Sequence, residues 1–241
     1  MDLIDMHNHI LPAVDDGSKS LEMSLAMVKC AISEGIHTLI MTPHYHPHKG
    51  THDLGVWQER YSMLRRAVME QNLDVQLYMG CEVFFEYDVP KLIEEGRIPT
   101  MVQSRYVLVE FDFDAEYDTI RSGLMDILDM ELVPIFAHVE RFEAIFGHAD
   151  RVRDLRDMGI LIQLNSDDVV GEAGLRMKYF CKKLLKRGYV DFIGTDAHRD
   201  IGRAPLMKNC YNYVVKKCGE EYANLIMHDN AMHIINNEEI E

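Results

Sequence analysis

Short apolar runs alternate with longer amphipathic stretches along most of the chain. The runs at residues 2–6, 37–42, 75–80, 106–111, 133–138, 160–165 and 190–195 are brief and rich in β-branched side chains, and read as seven strands. Several, such as Thr38-Leu39-Ile40-Met41 and Val133-Pro134-Ile135-Phe136-Ala137, are almost continuously apolar, as expected of strands covered on both faces. Between them lie helical patterns. Leu21, Leu25, Val28 and Ile32 recur at helical spacing, and Gly35 stands where a C-terminal cap belongs. Residues 168–187 and 205–217 read as two further helices. Alternation of this kind predicts an α/β protein built as a barrel or a doubly wound sheet.

Composition narrows the class. The chain has 241 residues, 47% of them hydrophobic, enough for one large domain over residues 1–241. No apolar run is long enough to cross a bilayer, and acids stand near the N-terminus where a signal peptide would carry Lys or Arg, so a cytoplasmic protein without stable membrane insertion is expected. The 5 cysteines are scattered and form no CxxC pair, which predicts free thiols. With 25 Lys and Arg against 40 Asp and Glu, the net charge of −15 argues against nucleic acid as a partner. It does not exclude a phosphorylated substrate, because bound cations can invert the local field.

The chemistry gathers at the predicted strand ends. His7 and His9 follow the first strand, His44 the second and Glu82 the third. Glu110 ends the fourth, His138 the fifth and Asn165 the sixth, and Asp196 with His198 follows the seventh. In a parallel barrel those ends meet on one face, whereas a doubly wound sheet would spread them along a crevice, so the barrel is preferred. Two imidazoles at i and i+2, as in His7-Asn8-His9, share one side of an extended segment. A carboxylate ending an apolar strand, as at Glu82 and Glu110, is costly unless paired or metal-bound. Imidazoles and carboxylates without thiolate suit manganese, iron or zinc better than magnesium, and they are too many for one ion.

His-x-His, Asp15-Asp16-Gly17, Thr42-Pro43-His44, Gly80-Cys81-Glu82, Val109-Glu110-Phe111, Ala137-His138-Val139-Glu140-Arg141, Gln163-Leu164-Asn165-Ser166 and Thr195-Asp196-Ala197-His198 occur in an order that resembles the polymerase-and-histidinol-phosphatase (PHP) family. The likeness covers essentially the whole chain and is strongest to the bacterial capsule and exopolysaccharide tyrosine phosphatases. It implies a distorted (β/α)7 barrel holding three divalent ions, manganese by preference. By matching motifs, His7, His9, Glu82 and Asp196 would hold the first ion, with Glu82 bridging to a second completed by Glu110 and His138. His44, His198 and one acid of the Asp15-Asp16 pair would hold the third, and Asp16 is preferred for its offset from the His-x-His pair. Arg141 and Arg203 match the family's phosphate-binding arginines, at once catalytic and substrate-binding. The implied substrate is the phosphotyrosine tail of a bacterial tyrosine autokinase that controls polysaccharide synthesis. Asp112-Phe113-Asp114 departs from the family pattern and is expected to alter substrate contacts.

Rival readings remain at this level. Cys181 to Arg187 spells Cys-x5-Arg, the signature of thiol-based tyrosine phosphatases, but its intervening Lys-Lys-Leu-Leu-Lys is helical and lacks the glycines that let backbone N–H groups wrap a phosphate. A histidinol phosphatase or another small-molecule phosphoesterase would use the same metals. A metal-dependent deoxyribonuclease barrel would leave Arg141 and Arg203 without a role, and a silent binding domain would have no need of the full ligand set. No residue stands out as general acid. His46, His48 and His52 fit either an exposed loop or a substrate-contacting rim, and Trp57 fits core or surface.

Overall fold

Nine short strands make seven passes around a ring in the computed structural model, which describes residues 2–49 and 52–240. They are β1 (Leu3–Asn8), β2 (Ile36–Met41), β3 (His44–Tyr45), β4 (Gln76–Met79), β5 (Glu82–Phe84), β6 (Tyr106–Glu110), β7 (Val133–Phe136), β8 (Leu161–Asn165) and β9 (Phe192–Gly194). All pairings are parallel, in the orders β1-β2-β4 and β3-β5-β6-β7-β8-β9. Two passes are broken in the middle, β2 from β3 at Thr42-Pro43 and β4 from β5 at Gly80-Cys81. Pro43 has no N–H to give a ladder, so the break falls where the backbone cannot pair. The broken passes stay aligned because Gly80 N donates to Met41 O (2.8 Å) and Glu82 N to Pro43 O (3.1 Å).

The ring closes between its first and last strands. Asn8 forms a parallel bridge with Ala197. Asp196 N donates to His7 O and His9 N to Ala197 O, each at 2.8 Å. Below them Asp5 accepts from Thr195 Oγ1 at 2.6 Å and Thr195 N at 2.9 Å. This is the distorted seven-stranded barrel that the family resemblance implies.

Strand alternation sorts the apolar residues into two layers. Ile4, Met6, Ile40, Tyr106, Leu108, Ile135 and Phe192 form one buried cluster, closed at the end away from the site by Met101, Ala231 and Ile234. Their neighbours Leu3, Leu39, Val107, Val109, Phe136 and Ile193 pack outward against the helices in a second, larger cluster. Trp57 belongs to this second layer and is buried.

The helix expected over 168–187 is two helices, Ser166–Val170 and Leu175–Lys186. Gly171 and Gly174 adopt φ of 103° and 102°, left-handed backbone that ends the first helix and starts a new one. The helix expected over 205–217 begins later, as Lys208–Cys218. Among the described residues no helix is long and apolar enough to cross a membrane.

Candidate metal centre

The strand ends deliver their side chains to one place because the local backbone turns there. Gly17 is what lets the chain double back onto β1: a Cβ at this position would lie 2.3 Å from His9 O. Gly194 has the same role across the ring closure, where a Cβ would stand 2.6 Å from the His7 Cβ. His138 and Asp196 adopt φ of 33° and 51°, a region that costs a non-glycine residue on the order of 1 kcal/mol or more. Both strained residues end strands and both point into the cluster.

Every site residue named from the sequence arrives in this cluster or at its rim. Glu82, fully buried, is its centre. One carboxylate oxygen, Oε1, lies 3.2 Å from His7 Nε2 and 2.8 Å from His138 Nε2. The other, Oε2, lies 3.3 Å from His9 Nε2 and 3.0 Å from His44 Nδ1. Glu110 faces the same imidazoles, with Oε1 3.0 Å from His44 Nδ1 and Oε2 3.7 Å from His138 Nε2. Asp196 Oδ1 approaches His9 Nε2 and His198 Nδ1, each at 3.4 Å. Asp16 Oδ1 stands 3.5 Å from His44 Nε2 and 3.4 Å from His198 Nε2.

Among the described residues, four groups of donor atoms meet in this cluster, each gathered within 4.8 Å: His7, His9 and Glu82; Glu82, Glu110 and His138; His9, Asp16, His44 and His198; and His44, His46 and Glu110; a fifth, His48, Glu86 and Asp88, lies apart from them. The second is the grouping implied by the motifs, whereas the first lacks Asp196, which stands 3.4 Å from His9 Nε2, and the third adds His9. The donor set fits divalent cations. His7 Nε2, His9 Nε2, His44 Nδ1 and Glu82 Oε2 are all buried without a hydrogen-bond partner, an arrangement costly for a protein that held nothing between them. The electrostatics agree. Burial alone would raise Glu82, yet the surrounding His7 and His44 pull it well below the usual carboxylate range. Burial alone would lower His44, yet Glu82 lifts it to about 10. Carboxylates that draw protons so strongly onto imidazoles offer the same field to a metal cation.

Around the cluster lie the two arginines named from the sequence and several groups whose supporting roles the sequence reading did not assign. Asp15 does not face the third group but orients it: Oδ2 accepts from His9 Nδ1 (2.8 Å) and His44 N (3.1 Å), and Oδ1 accepts from Gly17 N (2.9 Å). Gln163 Oε1 receives His7 Nδ1 at 3.1 Å and His138 N at 2.8 Å, which leaves His7 Nε2 free to face Glu82. Such partners fix the tautomer and aim of a metal-binding imidazole. Arg141 is held by Asp168 (Nε to Oδ2, 2.7 Å), Asp196 (3.2 Å) and Asp167 (3.4 Å). Arg203 reaches the same Asp196 oxygen at 2.9 Å, so the two guanidinium groups bracket one carboxylate. Burial and the neighbouring Asp168 push Glu140, whose Oε1 accepts from Asn165 N at 2.7 Å, well above the usual carboxylate range.

A cavity of about 320 Å³ opens over the cluster, walled by His46, Phe84, Phe113, Arg141 and Arg203 among others. His46 is therefore a rim residue, its ring 5.0 Å from Phe84. His52 instead stacks on Tyr45, and His48 turns to Glu86 and Asp88. Of the unusual Asp-Phe-Asp triplet, Asp112 and Phe113 line the cavity. The Cys-x5-Arg reading fails on structure. Cys181 is buried inside the Leu175–Lys186 helix, where burial pushes its thiol up, and Arg187 turns to Asp150 at 3.5 Å.

Fold and site together define a barrel hydrolase with a candidate multinuclear metal centre. The chain belongs to the capsular polysaccharide synthesis family CpsB/CapC, whose family model matches residues 3–236. It is 34% identical over 240 residues to the tyrosine-protein phosphatase CpsB of Streptococcus pneumoniae, covering 97% of this chain and 98% of that one. It is 25% identical over 238 residues to the tyrosine-protein phosphatase YwqE of Bacillus subtilis, covering 99% and 93%. A crystal structure from work on YwqE and CpsB, described as unique metal-dependent tyrosine phosphatases, superposes with a TM-score of 0.93 at 25% identity, over 99% of this chain and 96% of the other. The histidinol phosphate phosphatase of Lactococcus lactis, solved with zinc, L-histidinol and phosphate, shares the fold at a TM-score of 0.57 and 16% identity, over 90% and 94%.

Proposed function

We propose that this chain is a metal-dependent protein-tyrosine phosphatase, acting in the cytoplasm as one unit over residues 1–241. Its substrate in this reading is the phosphotyrosine tail of a bacterial tyrosine autokinase that governs capsular or exopolysaccharide synthesis. The observation that carries the reading is the buried Glu82, faced by the unpartnered His7, His9 and His44 imidazoles beneath a cavity walled by Arg141 and Arg203, in a chain 34% identical to CpsB.

His7, His9, Glu82 and Asp196 would hold one ion, Glu82, Glu110 and His138 a second, and Asp16, His44 and His198 a third. Three divalent ions there, manganese by preference with iron or zinc as alternatives, would polarise a phosphoryl group and make a water acidic enough to act as nucleophile near neutral pH. The protein's own groups do the rest. Arg141, kept in place by Asp168, and the more exposed Arg203 present N–H forks to the phosphoryl oxygens. Binding phosphate there exchanges their contact with Asp196 for contact with substrate. Phe84, Phe113 and His46 give the cavity an aromatic wall that suits a phenol ring. A tyrosine phenolate, with a pKa near ~10, leaves with little help from a proton donor.

The test is steady-state hydrolysis of a tyrosine-phosphorylated peptide beside histidinol phosphate, in Mn²⁺ and then in EDTA. Chelator-sensitive preference for the phosphopeptide is expected. Preference for histidinol phosphate would move the substrate to a small molecule, and turnover insensitive to chelator would overturn the metal centre itself.

A further inference from the structure

The net charge of −15 conceals a segregated surface. Residues 175–187 carry six Lys and Arg and no acid, and residues 208–218 carry three more and again no acid. The two helices, Leu175–Lys186 and Lys208–Cys218, lie side by side. Between them runs a groove of about 360 Å³ whose lining includes Lys178, Lys182, Lys216, Lys217, Tyr179 and Tyr213, with no carboxylate among its lining residues. Lys178 Nζ and Lys217 Nζ both stand over the Tyr213 ring, at 5.1 and 5.8 Å. Leu175 and Tyr179 stand unusually open to solvent, at 71% and 67%.

The groove lies one cavity away from the site. Lys178 Nζ donates to Val170 O at 2.6 Å, and Val170 lines the adjoining cavity that reaches Asp167, Asp196 and Arg203. A chain leaving the rim at Arg203 would pass Val170 and enter the lysine groove.

We propose that this groove is a docking channel for an acidic, extended segment of the substrate polypeptide that flanks the phosphotyrosine. Charge complementarity selects an anion, since four lysines facing one groove repel one another until something negative lies among them. Concavity selects a polypeptide over a lipid surface, because a planar bilayer cannot follow a groove between two helices. Leu175 and Tyr179 supply apolar contact that a simple polyanion would not use. The channel deepens the phosphatase reading and rests on it for the identity of the segment, but its binding can be measured without chemistry.

The experiment uses the full chain loaded with manganese and the triple variant Lys182→Gln/Lys216→Gln/Lys217→Gln. Lys178 is left intact because it holds Val170. Two phosphotyrosine peptides are compared, one with a run of Asp and Glu beside the phosphotyrosine and one with Ser and Gly there. Unphosphorylated versions are titrated by fluorescence anisotropy. The wild type should favour the acidic peptide in KM by about tenfold at low salt, the order expected of several weak exposed ion pairs acting together, and high salt should erase the preference. The variant should lose both the preference and the binding of the unphosphorylated acidic peptide, while its kcat/KM for p-nitrophenyl phosphate stays unchanged. A wild type indifferent to the acidic run overturns the channel, as does a preference that survives in the variant. Lysine-dependent binding to phosphatidylglycerol vesicles without binding to the peptide would also overturn it. If neither phosphopeptide is hydrolysed but the acidic peptide still binds through these lysines, the phosphatase reading fails and the channel stands.

Discussion

Asp15→Asn separates the residue that aims the metal centre from the one beside it that faces it. Asp15 is nearly isosteric with Asn, so the change removes a charge and one acceptor and leaves the shape. In the native turn Oδ2 takes His9 Nδ1 and His44 N while Oδ1 takes Gly17 N. An Asn can keep its oxygen on only one side. Facing the histidines, it turns its NH₂ toward the Gly17 N–H, and an unmet donor in this part-buried turn costs about 1–2 kcal/mol. In a chain of this size that is a fall in Tm of very roughly 2–8 °C. The larger effect falls on metal affinity. Loss of the carboxylate behind a ligand histidine typically weakens binding by about 10–100-fold, or ~1.4–2.7 kcal/mol. Competition with a calibrated chelator gives the affinity, and plasma emission after desalting gives the stoichiometry. Asp15→Asn should keep full stoichiometry at saturating metal with weaker affinity. Asp16→Asn, which alters a carboxylate facing His44 and His198, should lose about one equivalent. If Asp15→Asn bound metal as tightly as wild type, its place behind His9 would have no functional weight; if it lost the equivalent and Asp16→Asn did not, the two acids would have to be exchanged.

Three further outcomes follow from the geometry. Glu82→Ala strands four imidazoles that now share one buried carboxylate, so it should remove more than one metal equivalent and cut phosphatase activity by at least about a thousandfold; a metal-replete, active variant refutes the shared-ligand arrangement. Cys181→Ser should hydrolyse phosphotyrosine at the wild-type rate with only a modest loss in Tm, and loss of turnover in a folded protein would restore the thiol reading. Asp5 is raised from 3.8 to about 6, by burial that outweighs its bonds from Thr195 and His7. Because the folded state holds this proton more tightly than the unfolded chain, the contribution of Asp5 to metal-free stability falls as pH rises from about 4 to 6, by up to about 3 kcal/mol. Asp5→Asn should flatten that part of the stability profile, measured by urea unfolding at each pH, and an unchanged profile would count against the assignment.

The candidate cluster was legible because its chemistry sits in short motifs at the ends of apolar runs, where periodicity marks the strand and the next polar residue marks the rim. Glu82 and Glu110 stand out in this way without any knowledge of contacts. The supporting groups do not. Gln163 meets His7 across a separation of 156 residues, and although its apolar strand and its motif mark it as buried, neither says which side chain it orients. Asp15 and Asp16 are adjacent acids whose roles are divided only by the turn at Gly17. The break at Gly171–Gly174 was hidden because amphipathic spacing resumes in phase on its far side. Net charge hides the lysine groove for a different reason: it averages over the whole surface, whereas the basic residues of 175–187 and 208–218 stand together.

The seam between the first strand and the last has a consequence for how the protein comes into being. Asp5 and Thr195 are 190 residues apart in the chain, and the imidazoles of His7 and His9 leave the ribosome long before Asp196 and His198. Synthesis runs from the N-terminus, so the earliest candidate ligands must wait for nearly 190 further residues before Asp196 and His198 exist. A chain that ends before Thr195 still carries His44, Glu82, Glu110 and His138 but lacks Asp196 and His198, so the groups around His9 stay incomplete. On the proposed ligand set, full-affinity metal uptake would require that the ring has shut, and a ribosome-stalled chain ending before Thr195 should not retain the complete complement of ions.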